Sequence, residues 1–196
     1  MSIYGDPANA PIWARAAVLL GSVTATTPAH PAAFTLNETS GGTGGVTTQW
    51  DYVGMLDDAA PFDNGEESID VTAHSAFGFG IYAKTYKNQE ERITFTALET
   101  TLTTLGLIYD GSDLSEAGGD ISGKLKQRDP TERFKLALHR DSDGGDVIER
   151  RVTESYATID TITRNFADGK SSYTCQATVY PTADRELYDY YYGAAV

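Results

Sequence analysis

Phe134-Lys135-Leu136-Ala137-Leu138-His139-Arg140-Asp141-Ser142-Asp143-Gly144-Gly145-Asp146-Val147-Ile148-Glu149-Arg150-Arg151-Val152 decides the fold class. Phe134, Leu136 and Leu138 alternate with Lys135, Ala137 and His139, the period of a half-buried strand whose apolar residues face inward. Asp141 to Asp146 is a run of turn formers, and Val147 to Val152 returns as a second strand, so the stretch is an antiparallel hairpin. Antiparallel pairing of this kind belongs to sandwiches and barrels.

Working outward, the same period recurs on both sides. Toward the C-terminus, Tyr156–Phe166 and Tyr173–Tyr180 form a second hairpin through Ala167-Asp168-Gly169-Lys170, with Tyr173, Cys175, Ala177 and Val179 on the buried side. Arg185 to Val196 then reads as a tail, with Tyr188, Tyr190, Tyr191 and Tyr192 close together. Toward the N-terminus, Ile93, Phe95 and Ala97 alternate, as do Phe77, Phe79, Ile81 and Ala83, and Ile69, Val71 and Ala73. Trp50, Tyr52 and Leu56 share one face of a further strand, and Val18–Val23 and Phe34–Leu36 are short strand candidates in a Pro-, Gly- and Thr-rich N-terminal region.

Only one segment changes period. Leu98, Leu102, Leu105 and Tyr109 fall at helical spacing and Gly111 supplies a stop, which predicts a helix over Leu98 to Ile108 laid on a sheet by its leucine stripe. Gly111 to Gly123 reads as an acidic, glycine-rich loop, and 57–67, with its Pro and Asn-Gly, as another. Eight to ten strands and one helix therefore predict a mainly β fold: a two-sheet β-sandwich or partly closed barrel with one flanking α-helix, in a single domain spanning 1–196. An arm over about 1–15 and a tail over about 185–196 extend from it.

Composition narrows the function classes. Cys175 is the sole cysteine, so no disulfide forms within the chain. No run approaches the roughly 18 apolar residues of a membrane span, and no membrane insertion is expected. The stretch after Arg15 is too short for the apolar region of a secretory signal. Fifteen Lys and Arg against 28 Asp and Glu give a net charge of −13, which disfavours gripping a phosphate backbone. Ala16 to Ala83 holds no Lys or Arg, but carries Glu38, Asp51, Asp57, Asp58, Asp63, Glu66, Glu67 and Asp70. An acidic, solvated surface accounts for that charge without any site.

Motifs for catalysis are missing. His30, His74 and His139 are scattered without ligand spacing, so neither a metal site nor a cofactor is expected. Cys175 on an apolar strand face reads as a buried thiol. There is no G-x-S-x-G, no phosphate-binding G-x-x-x-x-G-K-[ST] and no H-E-x-x-H. The Asp141-x-Asp143-Gly-Gly-Asp146 turn lacks the spaced glutamate of a calcium loop. No enzyme is expected. Tyr4, Trp13, Tyr86 and the C-terminal tyrosines lie in arms and loops, where aromatic residues suit subunit contacts.

Trp50-Asp51-Tyr52-Val53-Gly54-Met55-Leu56, the acidic loop, Ile93-Thr94-Phe95-Thr96-Ala97-Leu98-Glu99-Thr100, the leucine-rich helix and Leu107-Ile108-Tyr109-Asp110-Gly111 resemble, in order and wording, the major tail (tail tube) proteins of long-tailed, siphovirus-type bacteriophages of actinobacteria. Phe134 to Leu138, Glu149-Arg150-Arg151-Val152 and Tyr173 to Pro181 continue the resemblance, which covers about Trp50 to Pro181. It implies the tail tube fold, and hexameric rings stacked into a tube through which double-stranded genomic DNA passes. It implies a virion protein made in the host bacterial cytoplasm, with tape measure, tail terminator and distal tail proteins as further partners.

By order in the chain, the resemblance assigns an inter-ring bridging loop to 57–67 (Asp57, Asp58, Pro61, Phe62, Asp63, Asn64, Glu66, Glu67) and arm contacts to Tyr4 and Trp13. Asp70 and Asp160, at outward strand positions, are candidate lumen acids. An acidic bore repels DNA over about one Debye length, about 8 Å at physiological salt, and leaves it free to slide. The rivals are another virion or adhesion β-sandwich, such as a capsid decoration or carbohydrate-binding module, and an enzyme with a histidine and carboxylates in a cleft.

Overall fold

A computed structural model describes residues 13–30, 50–57, 62–63, 66–76, 80–110, 113–118, 120–167 and 170–194. In chain order the strands are β1 (Trp13–Gly21), β2 (Trp50–Tyr52), β3 (Glu66–Ala76) and β4 (Gly80–Ala97), followed by helix α1 (Leu102–Ile108). Four short strands come next: β5 (Tyr109–Asp110), β6 (Leu114–Ala117), β7 (Asp120–Gly123) and β8 (Lys126–Gln127). The last five are β9 (Lys135–Ser142), β10 (Val147–Thr153), β11 (Tyr156–Ala167), β12 (Lys170–Tyr180) and β13 (Tyr188–Ala194). They form a five-stranded antiparallel sheet, β13-β10-β9-β1-β2, and a four-stranded antiparallel sheet, β11-β12-β4-β3.

Alternation builds the core between these sheets. Val18 and Leu20 of β1 and Leu136 and Leu138 of β9 meet Ile93, Phe95 and Ala97 of β4, Cys175, Ala177 and Val179 of β12, and Ala157 and Ile159 of β11. Each such large side chain contributes about 1.5–3 kcal/mol by leaving water. Two short crossings partly close the sandwich. Leu56 and Phe62 bridge to Ala97 and Phe95 on one side, and Phe134 bridges to Ala157 on the other. The expectation of a mainly β, two-sheet fold with one flanking helix agrees with this architecture.

The deciding hairpin forms as its turn chemistry demands. Gly144 and Gly145 take φ of 94° and 76°, a region open to glycine, while the Ser142 carbonyl accepts from Gly145 N and the Ser142 hydroxyl accepts from Val147 N. Its outward face departs from expectation. Ala137 is buried with Leu19, Trp50, Val152 and Ala25 in a second apolar cluster, and Trp50 Nε1 donates to the Thr26 carbonyl at 3.0 Å. The five-stranded sheet is thus covered by its own chain on both faces over this region.

Four boundaries differ from the sequence reading. The helix begins at Leu102, because the Thr101 hydroxyl caps it by accepting from Thr104 N at 3.0 Å; Leu98 lies before that cap. Thr104, wholly buried, then donates its hydroxyl to the Val53 carbonyl at 2.8 Å and ties the helix to the chain after β2. The region 111–123 is not all loop: β6 and β7 pair as a hairpin with Gly118 at φ 64°. Trp13 to Arg15 belong to β1 rather than to an arm, and Tyr188–Ala194 of the expected tail pair with β10 as an edge strand. The candidate strand at Phe34–Leu36 lies outside the described residues.

Candidate functional site

The two members of the β3–β4 pair are unequal in what supports them. β12 pairs with β4 only over Glu91–Ala97, so the remainder of β4, back to Gly80, is paired with β3 alone. At about 3.3 Å per residue that two-stranded ribbon reaches roughly 35 Å past the four-stranded part of the sheet. Val71, Thr72, Ala73, His74 and Ser75 of β3 and Ile81, Ala83 and Lys84 of β4 are exposed. Val71 and Ile81 retain 50% and 62% of their accessible surface. Apart from backbone pairing, the ribbon has a His74–Thr85 hydrogen bond of 2.7 Å. A hairpin without a core is marginal in water, and its apolar side chains have no cover within the described residues.

The sheet that carries the ribbon also has the longer edges. β3 and β11, of 11 and 12 residues, are its outermost strands, whereas the other sheet ends in β2 and β13, of 3 and 7 residues. A long edge presents a row of unpaired amides and carbonyls to any further strand. Only the bridge from Phe134 to Ala157 touches the outer edge of β11 among the described residues. At the far end of β11, Phe166 is 74% exposed.

The acidic segment is stitched to this sheet. Asp57 N donates to the Thr96 carbonyl at 3.0 Å, and Asp63 N donates to the Thr94 carbonyl at 2.7 Å. Between them Phe62 is buried in the core beneath the Arg140 guanidinium, 5.2 Å from its ring centre. Phe62 is therefore a core residue, not part of a free loop, and Glu66 and Glu67 begin β3 opposite Arg92 and Glu91. Asp58, Pro61, Asn64 and Tyr4 lie outside the described residues. Trp13 opens β1 opposite Ser142, and Asp70 sits in β3 opposite Lys87. Asp160 occupies the bulge of β11, where it is exposed and accepts from the Thr158 and Thr178 hydroxyls.

The polar groups between and behind the sheets are paired into networks. Glu149, nearly buried, accepts from Arg140 at 2.6 Å and from Arg151 at 2.8 Å. Asp141 receives both Arg15, at 3.3 Å, and His139, at 2.8 Å. His30 lies parallel to Tyr191, ring centres 5.1 Å apart, with Nε2 3.0 Å from Asp189 but without hydrogen-bond alignment. Burial pulls the Arg150 guanidinium below its ordinary range, while Asp189 and Asp141 oppose the shift. A cleft of about 1040 Å³ opens beside Phe62, lined by Arg15, His139, Arg140 and Asp141 with Met55 and Asp57.

Its charges are mixed, and no three metal-ligating side chains converge among the described residues. Burial pushes the Cys175 thiol up to about 12, so the group is a protonated core side chain at neutral pH. The sequence missed β13 as a strand, although its aromatic content was a usable β signal.

Comparison with protein-family models finds no match, and comparison with curated proteins finds no significant sequence match.

Proposed function

We propose that this chain is a self-assembling structural subunit, of the class in which open sheet edges and a projecting ribbon are completed by identical copies. Within that class the reading that best suits the sequence resemblance is a tail tube protein of a long-tailed bacteriophage, forming hexameric rings that stack into a conduit for double-stranded DNA. The observation that carries it is the β3–β4 ribbon: an apolar surface at Val71 and Ile81 on a two-stranded projection that has no core of its own. A ring gives each long edge a neighbour and prevents open-ended pairing, since closed symmetry uses up every edge. The net charge of −13 suits a conduit that DNA must leave. On this reading the protein resides in the virion tail and meets tape measure, tail terminator and distal tail proteins at the tube's interior and ends.

Replacing Val71 and Ile81 together by Asp tests the proposal. The variant is expected to keep its circular dichroism spectrum and lose assembly in sedimentation and negative-stain images. Unchanged assembly would remove the ribbon from the account. One observation favours a second reading: Tyr190 and Tyr192 are exposed on β13, with the Arg151 guanidinium 6.0 Å from the Tyr190 ring centre. An aromatic shelf beside a guanidinium suits a carbohydrate-binding module, and glycan-array binding abolished by Tyr190→Ala would support it.

A further inference from the structure

The outward face of the four-stranded sheet carries a hydroxyl lattice. Alternation turns Cys175, Ala177 and Val179 inward and leaves Thr174, Gln176 and Thr178 outward. Register extends each across the sheet: Thr163, Thr174 and Thr96 lie in one row, Thr161, Gln176 and Thr94 in the next, and Thr158, Thr178 and Arg92 in the third. The rows are bonded laterally. Thr96 and Thr174 hydroxyls are 3.0 Å apart, and Asp160 accepts from Thr178 and Thr158.

Charge on this face balances. Arg92 lies 3.8 Å from Glu90, Arg133 lies over the Tyr156 ring at 4.3 Å at the end of the sheet, and Asp160 is held by the two threonines. Among the described residues, two guanidiniums thus face two carboxylates, and the central rows carry hydroxyls and one amide.

Resting on the tube reading above, we infer that this face is a neutral slip surface for duplex DNA, and that contact neutrality rather than a lining of acids keeps the DNA free. A phosphate backbone is held by clustered cations that displace its counterions. The lattice offers it none in the central rows, and hydroxyls bonded to neighbouring strands have less to offer a phosphate oxygen. Long-range repulsion from the rest of the acidic chain acts in addition, but decays within about one Debye length, about 8 Å.

The test compares three variants of the full chain, as dilute subunit and as assembled tube, for retention of a short DNA duplex at low and moderate salt. Wild type and Asp160→Asn are both expected to retain none. Thr94→Lys with Thr163→Lys is expected to retain duplex in a salt-dependent manner, with the log–log slope steeper by roughly one per lysine contact. In assembled tubes that duplex is expected to resist nuclease, whereas lysine placed at Val23, on the other sheet's side, leaves bound duplex digestible. Retention by Asp160→Asn alone would overturn the inference in favour of an acid lining. Retention by wild type, or none by the double-lysine variant, would overturn it outright. Failure of every variant to form tubes would instead count against the tube reading, while the subunit arm still decides whether the face holds DNA.

Discussion

Two hairpins in this chain share one sequence pattern and meet opposite fates. In β9–β10 the alternating residues are covered on both faces: Leu136 and Leu138 face the sandwich core, and Ala137 and Val152 lie with Leu19 and Trp50 behind the sheet. In β3–β4 the alternation of Val71, Ala73, Ile81 and Ala83 is equally regular, yet all four are exposed. Period-two patterning thus specifies a strand with an apolar face, and leaves open whether the cover comes from the same chain. The contrast locates function in the hairpin whose cover is missing.

The largest expected effect lies in the covered part. Phe95→Ala empties the centre of the core beside Phe62 and is expected to cost about 3–5 kcal/mol in denaturant unfolding. Next, Glu149→Ala leaves Arg140 and Arg151 without their shared, nearly buried carboxylate, a loss of about 3 kcal/mol. The same assay checks it, and a change below about 1 kcal/mol would show those guanidiniums to be effectively solvated. Thr104→Val removes the hydroxyl that bonds the Val53 carbonyl and should cost about 1–2 kcal/mol.

Alkaline titration sharpens the same contrast. Burial raises Cys175 to about 12, from 9.0, and burial with the Glu91 charge also raises Tyr188. Folded pKa values above the unfolded ones mean that this stability is complete below about pH 9 and declines as pH rises toward the folded values. Cys175→Ala is expected to flatten the cysteine part of that decline, and Cys175 to resist thiol reagents until unfolding. Smallest of all, Val71→Ser is expected to change subunit stability by less than about 0.5 kcal/mol while weakening assembly. A large stability loss there would mean that the chain covers the ribbon itself.

Much of the fold was legible because local chemistry and final environment agree. Gly144 and Gly145 mark a turn and form one, and the Cys175, Ala177, Val179 alternation faces inward as its period requires. Misreadings arose where two signals competed. Leu98 keeps helical spacing with Leu102, but the cap at Thr101 decides where the first turn begins. Phe62 lies among Pro, Asn-Gly and acids that read as loop, yet its burial against Phe95 is a tertiary contact that no local pattern encodes. Tyr188 to Tyr192 read as a tail for the same reason, since their partner β10 lies about forty residues earlier in the chain. The threonine rows escaped notice because Thr94, Thr163 and Thr174 become neighbours only through strand register.

Amide hydrogen exchange, followed residue by residue in dilute and in concentrated protein, tests most directly whether identical copies complete the open sheet. The account predicts that amides of β3 around Val71–Ser75, and those along the outer edge of β11, gain protection as concentration rises, while the core amides of β9 change little. Equal exchange at the two concentrations, in a sample that sediments as a monomer throughout, would contradict it.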